Sequence, residues 1–269
     1  MRSPLVSVVI PAFNEASLVD RCVLETVATL NGLQFRHEVI VVDDGSEDGT
    51  AELAQSVADR FPNVRVIGHD VNHGKGSALI RGASAAVGDF VLFLDADLEV
   101  HPRQLRLLWR TMEETGADVV IGSKLHRDAQ TDYPVERRVL SRGYYWIVKA
   151  LFRLPVHDTQ TGLKLYRRPV IARVLPRLVI KRYAHDLELL VNVHRLGYRI
   201  AEAPVVVTRV RAFPRVGVTD AWHVAWDTAA IFYRTYLLRY YDRIGKEADA
   251  LTADSAWDLD ELDELDELH

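Results

Sequence analysis

The chain carries a single cysteine, Cys22, in 269 residues. An internal disulfide and a cysteine-built zinc site are thereby excluded, and a reducing compartment is compatible. Positive charge is not in surplus either. Lys and Arg number 33 against 38 Asp and Glu, a formal net charge of −5, so no global basic field draws nucleic acid. Long apolar runs are missing. No window reaches the roughly eighteen uncharged apolar residues that a spanning helix needs. The opening MRSPLVSVVIPAFNE holds an apolar stretch too short for the core of a secretory leader, and Asn14 and Glu15 follow it directly. The expectation is a cytoplasmic protein that meets a membrane at its surface at most. No GxGxxG or Walker A element occurs, which removes the dinucleotide and P-loop phosphate cradles. What remains is 48% apolar and 26% charged residues, ordinary for a globular chain long enough to form one large domain with a sizeable core.

The patterning predicts an α/β fold. VSVVIPAF (6–13) reads as a strand stopped by Pro11, and EASLVDRCVLETVATL (15–30) puts Leu18, Cys22, Val23, Val27 and Leu30 on one helical face. HEVIVVDDGSEDGT (37–50) repeats the theme, an apolar run into acid and glycine, with Ser46 or Asp48 as the expected cap of the next helix. VRVIGHD is a third strand, GKGSALIRGASAA a glycine-opened helix, and FVLFLDADLEV (90–100) begins with a fourth strand. Strands alternating with helices imply a mostly parallel sheet flanked by helices. In such sheets ligands sit beyond the carboxyl ends of the strands. Those ends read Pro11 to Glu15, Asp43 to Ser46, His69 to Lys75, and Asp95-Ala96-Asp97. Polar residues gather at one edge. NHGKG (72–76) adds backbone N–H groups and one lysine at a helix start, a pattern suited to a diphosphate. Asp95, Asp97 and Glu99 are two apart and share one side of an extended chain. Crowded carboxylates call for a cation, and Mg²⁺ or Mn²⁺ with oxygen ligands is the natural one.

VVIPAFNE, VIVVDDGSEDGT, NHGKGSALIRG and FLDADLE, in that order and spacing, resemble the family-two glycosyltransferases of GT-A fold. The resemblance covers about residues 5–240. DTQTGLKLYRR (158–168) followed by RYAHDLELL (182–190) is most similar to the dolichyl- or polyprenyl-phosphate glucosyltransferases, with the mannosyl-phosphate branch close behind. The resemblance implies roles. Phe13 and Glu15, with Pro11, would line the nucleoside pocket. Asp44, paired with Asp43, would hold the base, and Lys75 would approach the donor phosphates. Asp95-Ala96-Asp97 is the family's DxD motif, its carboxylates bridging a divalent metal to the diphosphate of a nucleotide sugar. Glu99 stands where mannosyl-phosphate relatives place a glutamine beside the metal.

RRVLSRGYYWIVKALFRLP (137–155) predicts a helix with Arg138, Arg142, Lys149 and Arg153 along one side and Leu140, Tyr144, Ile147, Leu151 and Leu154 opposite. No acid falls between Arg137 and Arg153. Basic residues flanked by Tyr145 and Trp146 suit an anionic headgroup layer or a lipid-linked phosphate. In the resembled family this region binds that phosphate, and Arg137, Arg138, Ser141 and Arg142 match the pattern. Arg209, Arg211 and Arg215 are further phosphate candidates. Trp222, Trp226, Tyr233, Leu237 and Tyr240 form a second helical stripe, expected as core or dimer contact before membrane surface, which leaves a homo-oligomer open. The expected organisation is a catalytic domain over 1–218, an amphipathic aromatic helix over 219–246 and a disordered acidic tail over 247–269.

Three functions remain open. The first is inverting, metal-dependent transfer of a hexose, from UDP-glucose first and GDP-mannose second, to a polyprenyl phosphate. The second is transfer to a sugar hydroxyl, which needs a base, with Asp186 beside His185 and Glu188 as the candidate; on the phosphate reading Asp186 orients the donor sugar. The third is a non-catalytic binding scaffold, against which the intact DxD set argues.

Overall fold

The computed structural model of the protein describes residues 3–131, 135–181, 184–208 and 218–245. In chain order it begins β1 (Leu5–Ala12), α1 (Val19–Gly32), β2 (Arg36–Asp44), α2 (Thr50–Ala58), β3 (Val64–His69), α3 (Lys75–Ala85) and β4 (Phe90–Phe93). There follow α4 (Leu105–Thr115), β5 (Val119–Ser123), β6 (Gln130–Thr131), α5 (Val135–Phe152), β7 (Lys164–Arg167), α6 (Arg168–Val174), α7 (His185–Arg195), β8 (Ile200–Pro204), β9 (Val206–Val207) and α8 (Val218–Phe232). A π-helical turn, Tyr233–Leu237, continues α8.

Seven strands form one sheet in the order β3-β2-β1-β4-β7-β5-β8. Every neighbouring pair is parallel except the two that involve β7. The sheet is therefore mostly parallel, as its apolar strands predict. Val6, Val8, Val9 and Ile10 of β1 are fully buried, and so are Val39 to Val42 of β2, because helices cover both faces. On one face α1, α2 and α4 supply Val19, Val23, Ala54, Val57, Leu105 and Met112. On the other α3, α5, α6 and α7 supply Leu79, Val148, Phe152, Val170, Leu187 and Val191, and Ile231 of α8 joins them.

Two sequence expectations need correcting. Helix α2 starts at Thr50 behind Gly49, whose φ of 86° suits glycine; Asp48 assists from just outside, accepting from the Thr50 N–H at 3.1 Å. In α5, Val148 and Phe152 are buried with Leu154 beyond it, while Ile147 is exposed beside Trp146. The apolar face is therefore rotated from the expected one. The expected tail, 247–269, lies outside the described residues.

Antiparallel β7 does the most to build the site edge. Its first residue, Lys164, pairs with Phe93 of β4 and Ile121 of β5. It starts where its neighbours end, so its N-terminus joins their carboxyl ends.

Helix α3 approaches β1 and β2 closely at Gly82. A Cβ there would stand 2.3 Å from Val9 Cγ1 and 2.9 Å from Val42 Cγ2. Both neighbours are β-branched and stiff. Gly82→Ala should cost about 1–3 kcal/mol of stability by overpacking, read as a lower denaturant midpoint with an unchanged slope.

Candidate active site

The polar edge expected from the sequence exists. The loop after β1 is tied to the loop after β2: Ser46 Oγ accepts from the Asn14 N–H at 3.0 Å, Asn14 Oδ1 accepts from the Glu47 N–H at 3.1 Å, and Thr50 Oγ1 accepts from the Glu15 N–H at 2.8 Å. Asn14 takes a left-handed φ of 53°, which Asn tolerates better than most residues. Phe13 is thereby left exposed at the rim while Glu15 is buried. Pro11 and Ala12 close β1 against Val42 and Asp43.

The two acids ending β2 differ. Asp44 is buried, and both its oxygens are engaged. Oδ1 lies 2.8 Å from His69 Nδ1 and accepts from the His73 N–H at 3.0 Å; Oδ2 accepts from the Gly74 N–H at 2.7 Å. Asp44, expected to hold the base, fastens the 69–74 loop in this structure. Asp43 Oδ2 accepts from the Ser46 N–H at 3.1 Å, while its buried Oδ1 has no hydrogen-bond partner. Asp43 keeps the acceptor that a base N–H needs.

The NHGKG expectation changes as well. The Gly76 and Ser77 N–H groups point to the Lys181 carbonyl, at 2.8 and 3.3 Å. With the His73 and Gly74 donors bonded to Asp44, four amides around this helix start have partners within the chain. Its positive contribution is the Lys75 ammonium, 2.6 Å from Asp95 Oδ1. Burial opposes the charge on Lys75, but Asp95 and Asp186 outweigh it and hold its pKa above the ordinary lysine value.

Asp95 and Asp97 follow β4 and share a small cleft with Glu99, Val100, Lys124 and Gly162. Ala96 between them is buried. Burial, then the charge of Asp95, pushes the Asp97 carboxyl up to about 6, with Glu99 adding to it. Negative charge is concentrated here beyond what the surroundings neutralise. Gly162 makes room for it: a Cβ would lie 2.0 Å from Asp95 Oδ2. Among the described residues no three His, Cys, Asp or Glu side chains are already gathered as a metal cluster. Hard oxygen donors carrying excess charge nevertheless fit Mg²⁺ or Mn²⁺, with further oxygens coming from a ligand.

The sequence reading missed Lys164. Fully sequestered at the start of β7, it donates to Asp186 Oδ1 at the start of α7. Burial alone would raise the Asp186 pKa; Lys164 and Lys75 overcome it and hold the carboxyl at about 2. The lysine was visible in TGLK, but its reach to Asp186 depends on the antiparallel pairing of β7. His185 is buried, kept neutral by that burial with its pKa at about 4, and its ring lies 2.7 Å from where a Gly76 Cβ would stand. Glu188, the other acid near Asp186, is structural: it accepts from the Val179 and Ile180 N–H groups and from Tyr241 Oη at 2.6 Å.

Helix α5 borders this end of the site. Tyr144 Oη lies 3.1 Å from Thr228 Oγ1 of α8, and burial, then Asp227 and Asp186, pushes its pKa up to about 12. Ser141 and Arg142 are exposed. The side chains of Arg137 and Arg138, and all of Arg209, Arg211 and Arg215, lie outside the described residues. No helix among the described residues is long and apolar enough to cross a membrane.

The sequence and the fold both have known relatives. The family model described as "Glycosyl transferase family 2" matches residues 7–175. The chain belongs to that family, and the protein is a glycosyltransferase of GT-A fold. It is 31% identical over 245 residues to a dolichyl-phosphate beta-glucosyltransferase of Dictyostelium discoideum, covering 86% of this chain and 75% of the relative. It is 35% identical over 202 residues to glycosyltransferase AglD of Haloferax volcanii; that match covers 74% of this chain but 32% of the much longer relative. Among solved structures, mannosyl-3-phosphoglycerate synthase of Rubrobacter xylanophilus superposes with a TM-score of 0.68 at 22% identity, over 88% of this chain and 76% of that one. Glucosyl-3-phosphoglycerate synthase of Mycobacterium tuberculosis, in complex with Mn²⁺, UDP and glucosyl-3-phosphoglycerate, gives 0.65 at 23%, over 86% and 79%. At these identities the structures establish the fold.

Two substitutions separate loop-fastening from ligand-holding. Asp43→Ala should weaken nucleotide affinity with little change in melting temperature. Asp44→Ala should leave buried amides unpaired and lose about 2–3 kcal/mol of stability. Equal melting temperatures for the two variants would refute this division. Gly162→Ala should displace the Asp95 carboxylate while sparing the core. Mn²⁺ binding, followed by electron paramagnetic resonance, should fall at least about tenfold if a ligand contributing roughly 1.4 kcal/mol or more is lost. Unaltered Mn²⁺ affinity would remove Asp95 from the metal site.

Proposed function

We propose that the protein transfers a hexose, with inversion, from a nucleotide sugar to a polyprenyl or dolichyl phosphate. UDP-glucose is the favoured donor and GDP-mannose the second. The curated relatives named as dolichyl-phosphate glucosyltransferases support the acceptor class. The observation that carries the reading is the Lys164–Asp186 ion pair. A carboxyl held at about 2 is a poor proton acceptor for a sugar hydroxyl, since an efficient base has a pKa near the working pH. A phosphate monoester needs no base, being largely ionised at neutral pH with a second pKa of about 6. Its oxygen attacks the anomeric carbon, and the nucleoside diphosphate leaves.

Each group then has a task. Asp43, with Phe13 and Glu15 at the same loop, receives the nucleoside, and Lys75 faces the donor phosphates. Asp95 and Asp97 would hold Mg²⁺ or Mn²⁺, with Glu99 beside them; the ion would supply positive charge to the departing diphosphate. Asp186, kept charged by Lys164, orients the donor sugar and stabilises positive charge developing at the anomeric carbon. Arg142, with Arg137, Arg138, Ser141 and Arg211, receives the acceptor phosphate. The lipid is met at a membrane surface on its cytoplasmic side. Residues 1–218 would make up the catalytic domain, 219–246 an aromatic segment that α8 and its π-helical turn begin, and 247–269 an acidic tail.

The acceptor's own ionisation is the test. With saturating donor and metal, kcat/KM for a short polyprenyl phosphate should fall as pH drops through about 6. Replacing the phosphate by a phosphonate of higher second pKa should move that limb upward by the difference. The matching prenyl alcohol should be inert. Use of the alcohol, or a limb that ignores the phosphonate, would reject the phosphate acceptor and favour a hydroxyl acceptor with a protein base.

A further inference from the structure

Helix α8 is built inside out. Towards the protein it presents Thr228 and, in the following turn, Thr235, which are 3% and 1% exposed, together with Ile231. Towards solvent it presents Trp222 and Trp226, 69% and 68% exposed, and then Tyr233 and Leu237. Spacings of four, seven and four residues put these four on one stripe. A helix stabilised solely by its own domain would place the tryptophans inward, since their apolar area outweighs that of threonine. Thr228 manages burial by internal bonding, its Oγ1 donating to the Val224 carbonyl at 2.6 Å and meeting Tyr144, whereas the buried Thr235 Oγ1 has no hydrogen-bond partner. The core or dimer position expected for this stripe is therefore not taken up within the chain.

Helix α5 extends the same surface. Tyr144 meets Thr228, and the Phe152 ring meets those of Phe232 and Tyr236 at 6.3 and 6.4 Å. Contacts in this order mean that the two helices run side by side in the same direction. Exposed on α5 are Arg142, Trp146 and Ile147, along with the small residues Ser141, Gly143 and Ala150. The combined face is aromatic and aliphatic with basic charge at its margin, a composition suited to the interfacial zone of an anionic bilayer. Its position fits as well. Asp227 of α8 accepts from the Ala184 N–H at 3.4 Å, immediately before His185 and Asp186, so the face adjoins the end of the site where the sugar is to be transferred.

We infer that the outward face of α8, with Arg142, Trp146 and Ile147 of α5, docks the protein on an anionic membrane surface and brings the Asp186 end of the site to the headgroup layer. This inference rests on the proposed lipid-phosphate acceptor and can be tested apart from it. Full-length protein should co-sediment with phosphatidylcholine vesicles containing phosphatidylglycerol, and less so as salt rises. Brominated acyl chains should quench its tryptophan fluorescence. Trp222→Ser/Trp226→Ser, with circular dichroism confirming the fold, should reduce vesicle partitioning on the order of tenfold or more and remove most of the quenching. Unchanged partitioning and quenching in the double variant would overturn the inference. So would a wild-type dimer in sedimentation that the double variant dissolves while neither form binds vesicles, because the stripe would then be an interface between copies. If wild type glycosylates a water-soluble short prenyl phosphate but ignores vesicles, docking fails and the acceptor stands. If it docks through the stripe and uses no prenyl phosphate, the acceptor fails and docking stands.

Discussion

The site depends on the alternation of charge at one edge of the sheet. Asp95, Lys75, Asp186 and Lys164 come from the end of β4, the start of α3, the start of α7 and the start of β7. Two contacts, Lys75 to Asp95 and Lys164 to Asp186, join them in pairs, and Lys75 also acts on Asp186. Lys164 and Asp186 are buried, so removing either leaves a costly uncompensated charge, whereas Lys75 and Asp95 are partly exposed and their contact is worth less. The four segments are thus bound electrostatically to one arrangement. Asp97 stands outside the pairing, and its carboxyl is raised by burial first and by the negative charge of Asp95 second. Unpaired negative charge of this kind suits a divalent cation.

Backbone geometry protects this arrangement from its own crowding. Gly162 leaves room for the Asp95 carboxylate, and Gly76 for the His185 ring. Asp44 fastens the loop leading into α3, and the Lys181 carbonyl caps that helix. Most backbone donors near the site are consequently spent on shaping it. On the proposed function, recognition of a phosphorylated ligand would fall to side-chain cations and a metal, which can exchange partners when a ligand arrives, whereas amides fixed in a loop cannot.

Much of this was legible in the sequence, for a specific reason. A parallel sheet gathers its strand ends at one edge, so Glu15, Asp43, Lys75 and Asp95 could be brought together by order alone. The different hydrogen-bond partners of Asp43 and Asp44 could not be read in this way, because adjacent residues of a strand differ only in which loop each side chain meets. Lys164 stayed hidden because its partner is set by an antiparallel strand inserted between β4 and β5, a topology that alternation of strands and helices does not reveal. For α8 the core half of the expectation, that its aromatic stripe packs inward, does not hold: Thr228 and Thr235 take the buried side and the tryptophans face out.

The choice of acceptor and the chemistry of Asp186 follow from one another. A hydroxyl acceptor would require a carboxylate able to take a proton, hence one spared from close cationic contact. Lys164 denies Asp186 that freedom and keeps it a fixed negative charge. A fixed charge is useful where the reacting carbon becomes positive, and it is useful without a proton transfer only if the nucleophile arrives already ionised. A lipid phosphate satisfies that condition and carries a further demand, since its prenyl chain stays in the bilayer while its headgroup must reach the anomeric carbon. The outward tryptophans of α8, on a helix that contacts the residue preceding His185 and Asp186, meet that demand by geometry. On the proposed lipid-phosphate acceptor, the buried lysine and the exposed aromatic stripe would answer two demands of one molecule, the first of its charge and the second of its tail.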